Sequence, residues 1–407
     1  MGVIRTIEVE LVKQLDKDRI LLLTGARQVG KTTLLKRLHS HLSGKKYISN
    51  YFTLEDPQLL SDLNDHPENI FDYIDKNEQG FRYLILDEIQ YLNNPSNFLK
   101  YLYDQYCKSI KIIVSGSSAF YIDKQFNDSL AERKRIFTIY PFSFSEFLRA
   151  KNEDKLSNKI ISTSYLHTNE KRKLLKPARE KLMRYWQEYS VYGGYPSVVL
   201  EDDLSEKKYM LKELHQSFLK KDIQDAGIKD EPKFYALLKI LASQCGELTN
   251  YNELANTLGV SHTAVRHMIY ILEKSFIIRM VAPLHKNMRK ELTKMPKAFM
   301  YDPGYRNALL NSFETLTNRI DGGSTLENIF FSETVKSGAE EIQFWRTQDK
   351  KEVDFIVDDK CGFEVKMHTS NFKPIKYSKF VEVYPELHLQ PVGYNEDEAL
   401  DVLDFSS

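Results

Sequence analysis

The segment Gly25-Ala-Arg-Gln-Val-Gly-Lys-Thr32 decides the predicted fold of the first part of the chain. It follows the apolar run Ile20 to Leu23 and precedes three leucines at helical spacing, Leu34, Leu35 and Leu38. The segment has the GxxxxGK[ST] pattern, in which a loop between a strand and a helix surrounds phosphate groups. The sequence therefore predicts a phosphate-binding loop in an α/β domain.

The residue types in this loop match what phosphate binding requires. Gly25 and Gly30 lack a Cβ atom, so backbone N–H groups can approach a phosphate closely. The helix N-terminus adds the positive end of its dipole. Lys31 is expected to reach the β- and γ-phosphates of ATP, and the Thr32 hydroxyl is expected to bind Mg²⁺. The other predicted nucleotide-binding positions are Ala26, Arg27, Gln28, Val29 and Thr33. Of these, Thr33 also suits an ordinary first-turn helix position.

A second group of candidate residues follows the apolar run Arg82 to Leu86. Asp87 is predicted to hold the Mg²⁺ shell, and Glu88 to polarise the attacking water. Adjacent residues at a strand end point to different sides, so they can divide these roles. The next apolar run, Lys111 to Val114, ends at Ser115, which is a candidate for orienting water or sensing the γ-phosphate. A polar turn that ends the strand is the alternative for Ser115.

Composition and spacing limit the class of protein. The chain has 407 residues, 42% hydrophobic and 28% charged, which excludes disordered and fibrous classes. At roughly 100–200 residues per domain, this length indicates several domains. Lys plus Arg and Asp plus Glu are 57 each, so a nucleic-acid surface would be a local patch. No apolar run approaches the roughly 20 residues that span a bilayer, and we expect a cytoplasmic protein without a membrane segment.

Alternation of short apolar runs with amphipathic stretches extends over the first 150 residues and predicts a parallel sheet with helices. The predicted strands are Ile20 to Leu23, Lys46 to Leu54, Arg82 to Leu86 and Lys111 to Val114. Residues 151–181 are polar and predict exposed helices or a solvated insertion. Aromatic and Leu positions from Met183 to Leu219 predict a small helical subdomain around a Gly-Gly-Tyr-Pro break.

Five motifs occur in the order seen in a known family. They are Gly25 to Thr32, Leu86-Asp-Glu-Ile-Gln90, Ser115-Gly-Ser-Ser118, Tyr140-Pro-Phe-Ser-Phe-Ser-Glu-Phe147 and Gly193-Gly-Tyr-Pro196. The chain thus resembles bacterial and archaeal AAA+ ATPases that carry a C-terminal domain of unknown function with a nuclease-like core. The resemblance covers most of the chain. Together with the sequence pattern it implies a P-loop AAA+ ATPase core at 1–150, a helical lid at 151–231, a winged helix-turn-helix at 232–300 and an α/β PD-(D/E)XK nuclease-like domain at 301–407.

The resemblance also implies a role for Arg133, which stands where the family usually has Gly-Arg. Here Glu132 replaces the glycine. An arginine finger supplied to a neighbouring subunit is one physical use for Arg133, because it would neutralise charge developing on the γ-phosphate. A surface salt bridge with Glu132 or Asp128 is the alternative. Ring hexamers are typical of AAA+ proteins, so assembly into a homo-oligomer stays an open expectation.

Residues 232–300 show the pattern of a winged helix-turn-helix. Phe234, Leu237, Leu238, Ile240 and Leu241 form a helical face. Thr249 is the expected cap of a second helix, Gly259 makes the turn, and Ser261 caps a third helix that runs to Lys274. The third helix is predicted to pack inward through Val265, Ile269 and Leu272 and to present His262, Thr263, Arg266 and His267 to a DNA groove.

The segment after this third helix is locally basic. Lys286, Arg289 and Lys290 are predicted to contact DNA phosphates, which would make binding salt-dependent and mostly independent of sequence. The alternative is that the winged helix packs against protein, either within the chain or on a partner.

The C-terminal part contains a short set of charged residues on adjoining strands. Glu364 and Lys366 share one strand face because side chains alternate. With Asp354 on the neighbouring strand, Asp354 and Glu364 are candidates for a second Mg²⁺ site, which Glu327 would complete and where Lys366 would orient water. This set resembles the PD-(D/E)XK nuclease core. An exposed Glu–Lys pair is the ordinary alternative.

Two functions from different classes therefore remain open. In the first, ATP hydrolysis moves the winged helix and presents DNA to the Asp354 site. In the second, the ATPase is a switch or scaffold whose C-terminal domains bind protein partners and do not cleave nucleic acid.

Overall fold

A computed structural model describes residues 2–75, 80–116, 130, 132–161, 176–225, 227–228, 230–284 and 295–393. Contacts divide the chain into two compact units. The first comprises Met1–Tyr140 with Lys274–Phe276, and the second comprises Pro141–Glu273 with Ile277–Ser407. The four predicted segments are finer than this division and stay a prediction.

The first unit is built on a parallel sheet whose three central strands are buried. Its strands are β1 (Ile20–Thr24), β2 (Ile48–Thr53), β3 (Arg82–Asp87), β4 (Ile110–Ser115) and β5 (Lys134–Thr138). They follow the order β2-β3-β4-β1-β5, and each neighbouring pair is parallel. Four of them confirm the predicted apolar runs, and β5 is additional. Because β4 lies between β1 and β3, the carboxyl ends of these strands bring Gly25, Ser115 and Asp87 to one edge.

In the described part of the first unit, four α-helices accompany this sheet: α1 (Ile7–Lys13), α2 (Lys31–Gly44), α3 (Pro57–Asp65) and α4 (Pro95–Tyr106). Helix α2 buries Leu34, Leu35 and Leu38, the spacing from which it was predicted. Helices α3 and α4 each begin at a proline, capped by Asp56 and Asn94. Leu residues of α3 and α4 pack in one core with apolar residues of β3 and β4. Both faces of the central strands are therefore covered, which explains why these strands are continuously apolar.

The second unit begins with a helical region that contains α5 (Phe144–Ala150), α6 (Asp154–Ile161), α7 (Lys176–Tyr192), α8 (Pro196–Leu200), α9 (Leu204–Asp225), α10 (Glu231–Ser243), α11 (Tyr251–Leu258), α12 (His262–Lys274) and α13 (Pro303–Leu310). The helical pattern predicted from Met183 to Leu219 corresponds to α7, α8 and α9, and the subdomain itself stays a prediction. No helix in the described ranges combines the length and the apolar character needed to cross a bilayer.

The caps of the helix pair α11 and α12 match the prediction in part. Ser261 accepts a hydrogen bond from Ala264 N at 3.1 Å, as predicted for the start of α12. Gly259 ends α11 at φ 61°, which confirms the predicted turn. The predicted cap Thr249 is wrong, because its backbone N–H donates to the Pro296 carbonyl in extended structure and Asn250 caps α11 instead.

Two small sheets complete the second unit. The antiparallel pair is β6 (Ile278–Val281) with β7 (Lys297–Met300). The larger sheet has β8 (Ile342–Arg346), β9 (Glu352–Val357), β10 (Cys361–Lys366) and β11 (His388–Gly393), accompanied by α14 (Gly322–Lys336) and α15 (Ser378–Val383). Its order is β11-β10-β9-β8, with β8, β9 and β10 antiparallel and β11 parallel to β10. Phe330 of α14 packs on Phe355 and Phe363, with ring centroids 5.0 and 5.3 Å away.

The Gly193-Gly-Tyr-Pro break between α7 and α8 is a site of close backbone packing. A Cβ atom on Gly194 would lie 2.1 Å from the Phe142 carbonyl oxygen, so a larger residue cannot fit there. The Gly194 N–H donates to the buried Asp302 carboxylate at 2.7 Å. The Tyr189 hydroxyl donates to the same Phe142 carbonyl at 3.0 Å. This motif therefore organises the interior of the second unit.

A second buried carboxylate, Glu333 of α14, supports the same region. It accepts the Phe144 backbone N–H at 2.9 Å and hydrogen-bonds the Tyr189 hydroxyl. Burial raises the pKa of Glu333, and the neighbouring Lys336 opposes that shift. Asp302 and Glu333 were not predicted from the sequence, because their contacts with Gly194 and Phe144 join residues more than 100 positions apart.

Candidate functional site

The predicted phosphate-binding loop is a tight turn at the end of β1. Gly25 has φ 142°, and a Cβ atom there would lie 2.0 Å from the Ile139 carbonyl oxygen. Gly30 precedes α2 with φ 94°, and no side chain caps the helix. The first N–H groups of α2 are therefore not bonded to a capping side chain and suit an anion.

Lys31 lies inside the loop with only 5% of its surface exposed. Its Nζ donates to the carbonyl oxygens of Gly25 at 3.0 Å and Ala26 at 2.8 Å. The ammonium group thus lies next to the backbone that would surround a phosphate. Among the other predicted loop positions, Ala26 and Val29 are buried, Arg27 and Thr32 are half-buried, and Gln28 and Thr33 are exposed.

Asp87, Glu88 and Ser115 meet beside this loop. The Ser115 hydroxyl donates to Asp87 Oδ1 and accepts the Glu88 backbone N–H at 3.1 Å. Glu88 has φ 60° and ψ 50°, a left-handed conformation that costs a residue with a side chain about 1–2 kcal/mol. Such conformations cluster at functional sites, because they turn a side chain away from the strand. The structure thus brings Ser115 to both acidic residues, and the assigned roles stay predictions.

Two residues of this edge were missed by the sequence analysis. The Tyr51 hydroxyl donates to Asp87 Oδ2 at 2.8 Å. Burial first, and the Asp87 carboxylate second, raise the pKa of Tyr51. The buried Arg5 guanidinium donates to the carbonyl oxygens of Val29 at 3.0 Å and Tyr140 at 2.7 Å, and so holds the outer side of the loop. No local pattern indicates either contact, because both join distant parts of the chain.

The oxygen groups at this edge fit a hard cation such as Mg²⁺. Thr32 and Asp87 offer a hydroxyl and a carboxylate, the ligand types that Mg²⁺ prefers. Asp87 is held by two neutral hydroxyl groups and forms no ion pair with any other described residue. Among the described residues, no cationic side chain is therefore paired with its negative charge.

Arg133 lies at the opposite edge of the sheet. Its backbone carbonyl accepts the N–H of Ile20, the first residue of β1, whereas the phosphate-binding loop follows the last. The Arg133 side chain pairs with Asp104 of α4 at 2.8 Å, and both side chains are 36% exposed. The predicted salt bridge is thus present with a different partner, because α4 brings Asp104 close; Asp128 lies outside the described residues.

In the second unit, Asp354, Glu364 and Lys366 converge on β9 and β10. Lys366 Nζ lies 3.5 Å from Asp354 Oδ2 and forms a salt bridge with Glu364 Oε1. Asp354 Oδ2 also accepts the Val365 backbone N–H at 2.8 Å. Both carboxylates are 5% exposed. The three side chains are therefore neighbours, as predicted, and the ammonium group of Lys366 bridges the two carboxylates.

The surroundings of this cluster raise the pKa values of its carboxyl groups. Burial, and then the charge of Asp354, raise the pKa of Glu327 to about 8. Burial also raises the pKa of Asp354 and Glu364, and Lys366 opposes both shifts. Within the described part of the chain, no group of three His, Cys, Asp or Glu residues has the geometry of a metal site. The metal-binding roles of Asp354, Glu364 and Glu327 stay predictions.

The predicted DNA-binding helix, α12, has the expected two faces. Val265, Ile269 and Leu272 are buried, whereas the polar face is exposed and contains His262, Thr263, Arg266 and His267. The basic residues Lys286, Arg289 and Lys290 lie outside the described residues. The DNA-binding role of all these residues stays a prediction.

Comparisons with known proteins match three parts of the chain to family models. Residues 17–148 match the family model described as AAA domain, and residues 183–316 and 322–404 match two domains of unknown function, DUF8612 and DUF4143. An uncharacterized protein of Haemophilus influenzae is 27% identical over 85% of this chain and 81% of its own length. The uncharacterized protein MJ1637 of Methanocaldococcus jannaschii is 30% identical over 77% of this chain and 67% of its own.

A solved structure of AMPPCP-bound DnaA from Aquifex aeolicus aligns with 66% of this chain and 86% of its own, at 16% identity and a TM-score of 0.32. This TM-score is too low to support an inference. The identification of an AAA domain in the first unit therefore depends on the matched family model and on the geometry of the site.

Proposed function

We propose, from the premise that this chain belongs to the family of the Methanocaldococcus jannaschii protein MJ1637 and carries an AAA domain, that its first unit binds ATP with Mg²⁺ and hydrolyses it. The observation that carries the proposal is the position of Ser115. Its hydroxyl joins Asp87 to the Glu88 backbone at the sheet edge where the phosphate-binding loop follows β1.

Each residue of this edge has a distinct chemical task in the proposed reaction. Lys31 exchanges its loop carbonyl partners for phosphate oxygens and holds their charge. Thr32 and Asp87 would hold Mg²⁺, which when bound neutralises charge on the phosphates. Glu88 polarises the attacking water as general base. Ser115 fixes the backbone of Glu88, so that this carboxylate keeps its orientation toward the water.

ATPase measurements test this assignment. Lys31→Ala should weaken nucleotide binding and abolish hydrolysis, because the phosphate charge loses its partner. Glu88→Gln should keep nucleotide affinity and lower turnover by about 100-fold or more, since general-base contributions are of that size. Glu10→Gln is the matched control, because Glu10 pairs with Arg135 at the surface of the same unit. Wild-type turnover in Glu88→Gln would refute the role of Glu88.

We further propose that the protein acts on nucleic acid through residues 232–300. The exposed polar face of α12, which includes Arg266, supports this proposal, as does the basic segment that contains Lys286, Arg289 and Lys290. Neutralising these three residues should weaken duplex DNA binding. The slope of log affinity against log salt should also flatten, by about 0.9 for each DNA phosphate that the protein no longer neutralises.

The control for that experiment neutralises three exposed lysines elsewhere, Lys373, Lys376 and Lys379. It removes the same total charge and should leave the slope unchanged. An unchanged slope in the first variant would favour the alternative, in which the ATPase is a switch or scaffold and these domains bind a protein partner.

Cleavage of nucleic acid is a second candidate function, favoured by the convergence of Asp354, Glu364 and Lys366. We derive no catalytic step from this convergence, because the ammonium group of Lys366 lies between the two carboxylates. Linear, single-stranded and branched DNA, incubated with Mg²⁺ or Mn²⁺ and with or without ATP, should be compared for wild type and Asp354→Ala. Cleavage that disappears in the variant would support a nuclease, and no cleavage of any substrate would favour the switch or scaffold.

A further inference from the structure

Tyr51 of β2 connects the two elements that carry the proposed Mg²⁺ ligands. Its hydroxyl donates to Asp87 Oδ2 at 2.8 Å. Its ring lies beside α2, where Lys36 Nζ is 5.7 Å from the ring centroid and the His39 ring is 6.3 Å away. Thr32, Lys36 and His39 are spaced i, i+4 and i+7, and therefore share one face of α2. Tyr51 thus contacts the helix face of one proposed ligand and the carboxylate of the other.

We propose that Tyr51 is a positioning residue that sets Asp87 against Thr32 for a nucleotide-bound Mg²⁺. The inference rests on the proposed function of the first unit. Its basis is geometric, since one rigid side chain with few rotatable bonds spans the space between helix and strand. A two-point contact of this kind fixes the orientation of the carboxylate as well as its distance from α2.

The chemistry of the donors explains why a tyrosine suits this position. Asp87 receives one hydroxyl on each oxygen, from Ser115 of β4 and from Tyr51 of β2, the two strands that flank β3. A carboxylate has about four acceptor positions, so two remain for the cation. Hydroxyl groups orient the carboxylate without neutralising it.

Tyr51→Phe tests the inference because it removes the hydroxyl and keeps the ring. Tyr101→Phe is the matched control, since the Tyr101 hydroxyl donates to Glu68 Oε1 at 2.9 Å in the same unit. Each variant removes one tyrosine–carboxylate hydrogen bond. The readouts are affinity for ATP in excess Mg²⁺, affinity for ATP in EDTA, and turnover.

We expect Mg²⁺ to raise the affinity for ATP by the same factor in wild type and in Tyr101→Phe. In Tyr51→Phe this gain should fall by about tenfold, the size of one hydrogen bond to a charged group, while affinity in EDTA stays near wild type. Turnover at saturating Mg²⁺ should fall in Tyr51→Phe only. This pattern separates positioning for the cation from a general loss of stability.

The possible failures are distinguishable. The role of Tyr51 would be overturned if Mg²⁺ raised the ATP affinity of Tyr51→Phe as much as that of wild type, if both variants lost the same affinity, or if Tyr51→Phe lost the same affinity in Mg²⁺ and in EDTA. In each of these cases, ATP hydrolysis by wild type would still support the proposed function. A wild type that binds ATP without hydrolysis overturns the proposed hydrolysis, and the titrations still decide the role of Tyr51. A wild type that does not bind ATP overturns both.

Discussion

Two regions of this molecule bury carboxylates on β-strands and hold them with different donors. At the edge of the first sheet, Asp87 receives hydrogen bonds from the hydroxyls of Ser115 and Tyr51. In the second unit, Asp354 and Glu364 receive the ammonium group of Lys366. A hydroxyl orients a carboxylate and leaves its charge for an external cation, whereas an ammonium group already balances that charge. Burial alone therefore does not identify a cation site; the charge of the donor decides.

The largest effect is expected from Lys366→Met, which removes the cation from both buried carboxylates. Because breaking a buried ion pair leaves uncompensated charge, the free energy of unfolding should fall by about 3 kcal/mol. Urea unfolding at pH 7 measures it. Lys379→Met is the control, because Lys379 pairs with Asp349 at 3.6 Å with both side chains exposed, and should cost under about 1 kcal/mol. Equal losses would contradict the comparison.

The next effect concerns the hydroxyl donors. Ser115→Ala removes the donor to Asp87 and the acceptor of the Glu88 N–H, and should cost about 2 kcal/mol of unfolding free energy and lower ATP turnover. Ser109→Ala, at the other end of β4, removes a solvent-exposed hydrogen bond to the Tyr106 carbonyl. It should change the unfolding free energy and the ATP turnover little. Unfolding curves and ATPase rates of Ser115→Ala and Ser109→Ala measure these effects. A Ser115→Ala protein with wild-type turnover would mean that the hydroxyls do not hold a working carboxylate.

A smaller, pH-dependent effect is expected at Glu327. Its pKa is raised from the ordinary value of 4.5 to about 8. Between these values the unfolded chain releases a proton that the folded chain keeps, so Glu327 lowers stability progressively as pH rises through this window. Glu327→Gln should therefore be more stable than wild type by at least about 1 kcal/mol at pH 8, with the difference vanishing near pH 4. A difference in unfolding free energy between Glu327→Gln and wild type that is equal at both pH values would contradict this explanation.

The smallest effect is expected from Arg133→Ala. The exposed ion pair with Asp104 should contribute under about 1 kcal/mol, and ATP turnover should stay near wild type. The same loss is expected from Asp104→Ala. A fall in turnover of about 10³-fold in Arg133→Ala alone would establish the arginine finger instead, since that is the size of such a contribution.

The parts of the fold that were predicted correctly have local causes. The phosphate-binding loop, the four apolar strands and the Ser261 cap each depend on residues within a few positions of one another. The strand–turn–strand pattern around Asp354, Glu364 and Lys366 is equally local. Side-chain alternation was enough to place these three residues together, although it could not show that the ammonium group would lie between the carboxylates.

The missed features are long-range contacts. Tyr51 and Asp87 are 36 residues apart, and Arg5 and Val29 are 24 residues apart, so only the sheet order brings them together. The same reason explains why Asp104, and not a neighbour in sequence, pairs with Arg133. Asn250 caps α11 in place of Thr249 because the β-bridge between Leu248 and Lys297 holds the residues just before α11 in extended structure.

The buried contact between Tyr189 and Glu333 has a consequence for synthesis on the ribosome. The two residues are 144 positions apart, which is roughly 7–30 s of translation at about 5–20 residues per second. During that interval α5 and most of α7 have been synthesised, while the carboxylate that accepts the Phe144 N–H has not been made. The first unit lacks only Lys274–Phe276 by the time residue 140 is complete, whereas the interior around Tyr189 cannot complete its packing until the last third of the chain is made.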